Sequence, residues 1–140
     1  IYHLLDLTPA DMILQNDIYD ISPFASWTQG RVTLLGDAAH PTTPNMGQGA
    51  CMAIESAYVL SRSLKEDADY RSALRRYEGE RHARTAWITN TSWMIGKGGQ
   101  VGNPLLCKLR NFLVKITPAG AMQKNLQRAA GFDTMKDSWK

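Results

Sequence analysis

The stretch GRVTLLGDAAHPTTPNMGQGACMAIESA, residues 30–57, constrains the chain more than any other. Its first part, RVTLLG at 31–36, is a nearly continuous apolar run ending in glycine, the pattern of a short strand buried on both faces of a sheet. Pro41, Pro44, Gly47 and Gly49 then break regular structure, yet the sequence runs without pause into helix-forming residues. A strand that leads through a loop into a helix is how α/β proteins present a ligand at a strand's carboxyl end. Each part of the loop has a separate physical use. Asp37 can accept hydrogen bonds from a sugar hydroxyl. Pro41 and Pro44 hold the chain extended, and Gly47 and Gly49 remove side chains where backbone must come close to something. The first helical turn, near Gln48 to Cys51, offers unpaired N–H groups backed by the positive end of the helix dipole.

Around this unit the order is strand, strand, glycine loop, then helices. DIYDI at 17–21 has strand character and is closed by Pro23, while Thr8-Pro9 has a helix-start pattern with few residues to follow it. After the loop, Ala53, Ala57, Leu60 and Leu64 define one helical face, and the small residues Ala50, Ala53, Ser56 and Ala57 suit close packing. A second helix starts near Asp69, with Leu74, Tyr77, Ile88 and Ile95 as its apolar stripe, and the glycines at 96, 98, 99 and 102 end it. Residues 103–116 are strongly amphipathic: Leu105, Leu106, Leu109, Phe112, Leu113 and Ile116 share a face away from Lys108, Arg110 and Lys115. Thr117-Pro118 starts a last helix that runs to Gly131.

Composition removes several classes of function. At 140 residues with 44% apolar and 21% charged residues, the chain suits one modest globular core, and no apolar run is long enough to span a bilayer. Cys51 and Cys107 form no metal or disulfide framework, so a reducing, cytoplasmic-type compartment rather than secretion is the default. The arginines between Arg71 and Arg84 are interleaved with Glu78 and Glu80, which reads as a solvated helix face and not a nucleic-acid surface. The opening IYHLLDLT has neither an initiator Met nor signal-peptide design, and the chain reads as a piece of a longer protein.

Residues 31–57 resemble the second FAD-binding motif of the group A flavoprotein monooxygenases, the family of p-hydroxybenzoate hydroxylase, salicylate hydroxylase and zeaxanthin epoxidase. PNMGQGACMAIE is most similar to the epoxidase-like branch, and a weaker likeness runs from DISPFASW through Tyr77, Arg81 and Arg84 to about Arg110. The resemblance implies an α/β fold class: a fragment of the FAD/NAD(P)-binding Rossmann-like fold, two short strands followed mainly by helices. Residues 1–66 would close the substrate-side sheet and form the flavin-ring-proximal part of the FAD domain, and 67–140 would be carboxyl-terminal helices. Asp37 would bond the ribityl or ribose side of FAD, and Pro44 would lie where flavin and substrate meet. Gly47, Gln48, Gly49, Ala50 and Cys51 would present N–H groups to the flavin N1 and C2 carbonyl. Many relatives carry Asn in place of Cys51, which leaves a backbone role intact. With Gly36 these residues make the implied cofactor site, with no catalytic side chain and no metal ligand. The family's chemistry is the cofactor's: NAD(P)H reduces FAD, and a flavin C4a-hydroperoxide hydroxylates or epoxidises an electron-rich aromatic or alkene.

The family's amino-terminal GxGxxG and middle Asp-Gly motifs do not occur in these residues, so the chain corresponds to at most the carboxyl-terminal third of such an enzyme. The implied partners are a small-molecule substrate, the amino-terminal part of the same protein and a second copy in a homodimer, without nucleic acid. Rival readings are a halogenase or prenyl reductase of the same fold, or a helical interaction module that retains the motif. His40 reads as a structural hydrogen-bonder and Cys51 as a non-redox thiol. Tyr77, Trp87 and Trp93 read as core, and the 105–116 face packs on protein in preference to a membrane surface.

Overall fold

The computed structural model describes residues 7–131, so the expected units 1–66 and 67–140 extend past it at both ends. A two-stranded antiparallel hairpin, β1 (Thr28–Gln29) and β2 (Val32–Thr33), pairs Thr28 with Thr33 and Gln29 with Val32. Among the described residues four helices follow: α1 (Gly49–Glu66), α2 (Tyr70–Gly99), α3 (Pro104–Ile116) and α4 (Ala119–Ala130). Short 3-10 turns lie at Ala10–Met12, just after Pro9, and at Gly36–Ala38 and Pro44–Met46, between β2 and α1.

Both strand expectations need correction. Residues 13–25 carry no regular element, so 17–21 is no strand, and Ile18 and Ile21 are exposed. The run 31–36 contributes only two paired residues, with Val32 68% exposed. A strand exists as far as a neighbour completes its ladder, and among the described residues β2 pairs with β1 alone.

The core is built around Trp27, whose indole nitrogen donates to the Phe24 carbonyl at 3.0 Å. Its ring meets those of Tyr77, His40 and His82 at centroid distances of 5.9, 5.6 and 5.7 Å. The Tyr77 hydroxyl donates to the Leu34 carbonyl at 3.1 Å, so the residue after the hairpin is tied to α2. Ala39 and Val59 complete the buried cluster, with Phe24, Leu34 and Leu60 packed around it.

The face that α1 buries lies one residue from the predicted stripe. Met52, Ser56, Val59 and Ser63 are buried, whereas Ala57 and Leu64 are exposed. Helical periodicity locates apolar side chains, but here two of the four inward positions are serines. Ser56 has a specific reason to be inside, since its hydroxyl receives the Arg81 Nε–H at 3.1 Å.

Helix α2 starts where expected, because the Asp69 carboxylate caps it by accepting from the N–H groups of Arg71 and Ser72. Leu74, Tyr77 and Ile88 are buried as predicted, but Ile95 is half exposed and the helix continues through Gly96 and Gly98 to Gly99. Arg81 is not on a solvated face: it is fully buried. Arg76 does form an exposed ion-pair lattice with Glu66 and Glu80, and the nearly buried Arg62 joins it by bonding to Glu80. Such surface pairs contribute little to stability. Trp93 is 49% exposed, against the core expectation, while Trp87 is half-buried under the Arg128 guanidinium. Helix α3 is capped by Asn103, which accepts from the N–H groups of Leu105 and Leu106. The predicted apolar face of α3 is at least half exposed at every residue named for it. Among the described residues no helix is long and apolar enough to cross a membrane.

Candidate functional site

The breaker-rich loop folds into one open cleft of about 480 Å³, lined by Asp37, Thr42, Thr43, Pro44, Gly47, Gly49, Ala50 and Ala53. Leu35 leaves the hairpin extended, and Gly36 then turns the chain at φ 61°, with its carbonyl accepting from the N–H groups of Ala39 and His40 at 2.9 Å. This turn leaves Asp37 on the exposed side, while Gly36 itself is buried beneath α1, where a Cβ would lie 3.5 Å from that of Ala53.

Across the cleft the chain turns again at Pro44–Met46. Gly47 ends that turn at φ 63°, a left-handed conformation that is costly for residues with a Cβ, and donates to the Pro44 carbonyl at 2.9 Å. Helix α1 begins at once. Its first helical bond runs from the Met52 N–H to the Gln48 carbonyl at 2.9 Å, so the N–H groups of Gly49, Ala50 and Cys51 precede the helix's own hydrogen-bond ladder. Gln48 supplies no side-chain cap, and the first turn holds no acidic residue. Three backbone donors at the positive end of an 18-residue helix therefore lie beside the cleft.

Of the predicted site residues, Asp37, Pro44, Gly47, Gly49 and Ala50 line the cleft directly. Gly36 supports it from below, and Gln48 and Cys51 belong to the helix start without lining it; the Cys51 side chain is exposed. The sequence reading omitted Thr42, Thr43 and Ala53 from the lining. It also missed Ser92, which lies 49 residues from Thr43 in sequence yet hydrogen-bonds to it. No spacing signal could have linked the two.

Behind the cleft, His40 is buried with its Nε2 2.9 Å from the Ser56 hydroxyl. Burial, aided by the nearby Arg81 charge, holds the imidazole pKa below the ordinary 6.5. A neutral, enclosed His40 is a structural hydrogen-bonder. Glu55, on the same helix, takes Arg81 NH2 at 2.7 Å and the Arg84 guanidinium in two-point fashion at 2.8 Å each. Burial pushes the Glu55 carboxyl up, but the hydrogen bonds and charges of Arg84 and Arg81 outweigh it and hold the pKa below the usual range. Arg84 also donates to the carbonyls of Arg128 and Ala129, tying the end of α4 to α2.

A larger open groove, about 560 Å³, lies between the hairpin and α2, lined by Ser26, Thr28, Gly30, Arg71, Arg75, Glu78 and Gly79. It shares no residue with the loop, and its two arginines are exposed. Among the described residues no group of three His, Cys, Asp or Glu side chains could hold a metal.

A strand end, an exposed carboxylate, a left-handed glycine and an uncapped helix start facing one cleft are the parts that α/β proteins use at the loop–helix end of a nucleotide-cofactor site. Residues 19–92 match the FAD binding domain family, and the chain belongs to that family. It is 41% identical to aurachin C monooxygenase/isomerase of Stigmatella aurantiaca over 129 residues, covering 92% of this chain and 34% of that protein. It is likewise 41% identical over 119 residues to 2-heptyl-3-hydroxy-4(1H)-quinolone synthase of Pseudomonas aeruginosa, covering 85% of this chain and 31% of that one. Among solved structures, Klebsiella pneumoniae HpxO complexed with FAD and uric acid matches with a TM-score of 0.70 and 32% identity, covering 78% of this chain and 28% of HpxO. The chain spans about a third of the length of these two curated relatives. Its mainly helical body with one hairpin is a fragment of the fold of these FAD-binding monooxygenases.

Proposed function

We propose that residues 36–51 form the flavin-ring-proximal half of the FAD site of an NAD(P)H-dependent monooxygenase. Its substrate would be an electron-rich aromatic or alkene. The observation that carries this reading is the uncapped start of α1, which opens on the same cleft as Asp37. The Asp37 carboxylate accepts a hydroxyl of the ribityl or ribose chain. The N–H groups of Gly49, Ala50 and Cys51 face the ring edge where a reduced flavin concentrates negative charge, and Pro44 contributes an apolar wall where ring and substrate meet. A helix dipole there contributes about 0.3–1 kcal/mol, and up to ~2 when partly buried, so the aligned donors supply much of the stabilisation. FAD when bound supplies the redox and oxygen-transfer chemistry; the protein holds, orients and polarises.

The remaining partners follow from the same reading: the amino-terminal part of the protein grips the ADP half, 1–66 belongs with the flavin site and 67–140 with the carboxyl-terminal helices. The free thiols Cys51 and Cys107 support a reducing compartment. Names such as quinolone synthase and uric acid among the relatives favour a nitrogen heteroaromatic substrate.

The test is NAD(P)H oxidation by the full-length protein across phenols, aromatic acids, quinolones and carotenoids, with ¹⁸O₂ label followed into product. Label in the product supports the reading; halide incorporation or a reduced double bond overturns it. A Cβ at Gly49 would meet Thr42 Cγ2 at 3.6 Å, ordinary contact, so the protein itself accommodates a methyl at that point. Gly49→Val, which projects further into the cleft, is therefore expected to abolish flavin absorbance while leaving the circular dichroism of the helices unchanged.

A further inference from the structure

We infer that Asn45, Ser92 and Gly96 are positioning residues that hold the cleft loop in register against α2, so that the site is in place before cofactor binds. The inference rests on the flavin-site reading above and deepens it. Pro44 lies between two residues that are both fastened to α2. The Ser92 hydroxyl, fully buried, donates to the Thr43 carbonyl at 2.6 Å. The Thr43 hydroxyl lies 2.8 Å from the same Ser92 oxygen and is free to donate back to it. The Asn45 amide donates one hydrogen to the Thr43 hydroxyl oxygen at 2.9 Å and the other to the Ser92 carbonyl at 3.0 Å. All four hydrogens in this network are used, and each points to one acceptor. The Ser92 end of the network is buried and fixes the loop carbonyl, while the exposed Asn45 amide reaches over it as a second fastening.

Gly96 explains why the amide can sit there. It lies one turn beyond Ser92, inside α2, where glycine is worth about 1 kcal/mol less than alanine to a helix. A Cβ at 96 would stand 3.2 Å from Asn45 Cγ and closer still to Nδ2. The helix gives up propensity at this position and gains room for the Asn45 side chain. Through Pro44 and Gly47 that seat sets where the α1 donors begin, and hence where a flavin ring held in the cleft would meet them. A shift of the loop would misplace the ring against substrate, and reduced flavin would then pass its electrons to O₂ as H₂O₂, with one NAD(P)H oxidised per H₂O₂ formed and no oxygen transferred.

The test is a double-mutant cycle in the full-length protein, reading FAD affinity, product formed per NAD(P)H and the visible spectrum of bound FAD. Gly96→Ala alone is expected to weaken FAD binding about tenfold, raise the H₂O₂ share and alter the flavin spectrum. Asn45→Ala alone should act in the same direction. In the Asn45→Ala background, Gly96→Ala should add almost nothing, because its clash partner is gone. Ser92→Ala should lower coupling, and Ser92→Thr, which keeps the hydroxyl, should recover part of it. Additive effects of Gly96→Ala and Asn45→Ala, or unchanged coupling and spectrum in both, overturn the inference. If Gly49→Val leaves flavin content intact, the site reading itself has failed; if Gly49→Val abolishes it while the cycle is additive, only the positioning role has.

Discussion

Glu55→Ala in the full-length protein is expected to lower unfolding free energy by up to about 3–5 kcal/mol, the cost of removing one partner from a buried ion pair, since the Arg81 end is fully enclosed while Glu55 is partly buried. Three groups depend on that carboxylate. It takes the fully buried Arg81 and two nitrogens of Arg84, and Arg84 in turn holds the last carbonyls of α4. With Glu55 gone, the Arg81 charge stays enclosed with its carboxylate partner missing, and the α1–α2–α4 junction loses its common anchor. Glu55→Gln keeps an acceptor but no charge and should fall between the two. Denaturant unfolding followed by far-UV circular dichroism checks both variants; a loss below ~1 kcal/mol for Glu55→Ala would show that the pair is screened.

The acid limb of the same measurement has a defined sign. The Glu55 carboxyl sits below its ordinary 4.5 in the fold, so its stabilisation is complete above that value and is lost as pH falls through the folded one. The gap between wild type and Glu55→Ala should therefore be constant above about pH 6.5, where His40 is neutral in both, and close below about pH 4.5. His40 adds a separate slope. Its folded pKa lies below 6.5, so protonation favours the unfolded chain and stability declines as pH drops from 6.5 toward the folded value, more so in Glu55→Ala, which lacks a charge that raises the His40 pKa.

Asp37→Ala carries the second large effect. A hydrogen bond to a charged acceptor contributes about 1.5–3 kcal/mol, so the substitution is expected to weaken FAD binding roughly 10- to 150-fold. Asp37 is exposed on its 3-10 turn, outside the buried core, so melting temperature without flavin should be unaffected. Asp37→Asn keeps a neutral acceptor and should lose less. Titration of apoprotein with FAD, read by flavin fluorescence, checks the series, and unchanged affinity in Asp37→Ala would remove the carboxylate from the site.

The parts of this molecule that were legible in sequence are local ones. Asp69 and Asn103 cap helices because a short polar side chain reaches N–H groups two and three residues on, and that chemistry is written in adjacent letters. The glycine loop was legible for the same reason: a proline-bounded turn, a glycine and an uncapped helix start are consecutive, and five of the eight predicted cofactor residues line one cleft. Strand pairing was not legible, since 17–21 and 31–36 have strand composition but a ladder depends on a neighbour elsewhere. The α1 face was misjudged by one residue because apolar periodicity does not register an inward serine whose partner, Arg81, is 25 residues away.

By itself the sequence determined the order of the helices, the helix starts and the proline- and glycine-rich turn before the first of them, all of which follow from backbone and side-chain chemistry within a few residues. Only the tertiary structure decided that Arg81 is a buried ion-pair partner in place of a surface charge, that His40 is enclosed and neutral, and that Gly96 lies inside its helix as the seat of Asn45. The physical reason is the same in each case. Burial and hydrogen bonding are set by what lies opposite, and what lies opposite is dozens of residues away along the chain.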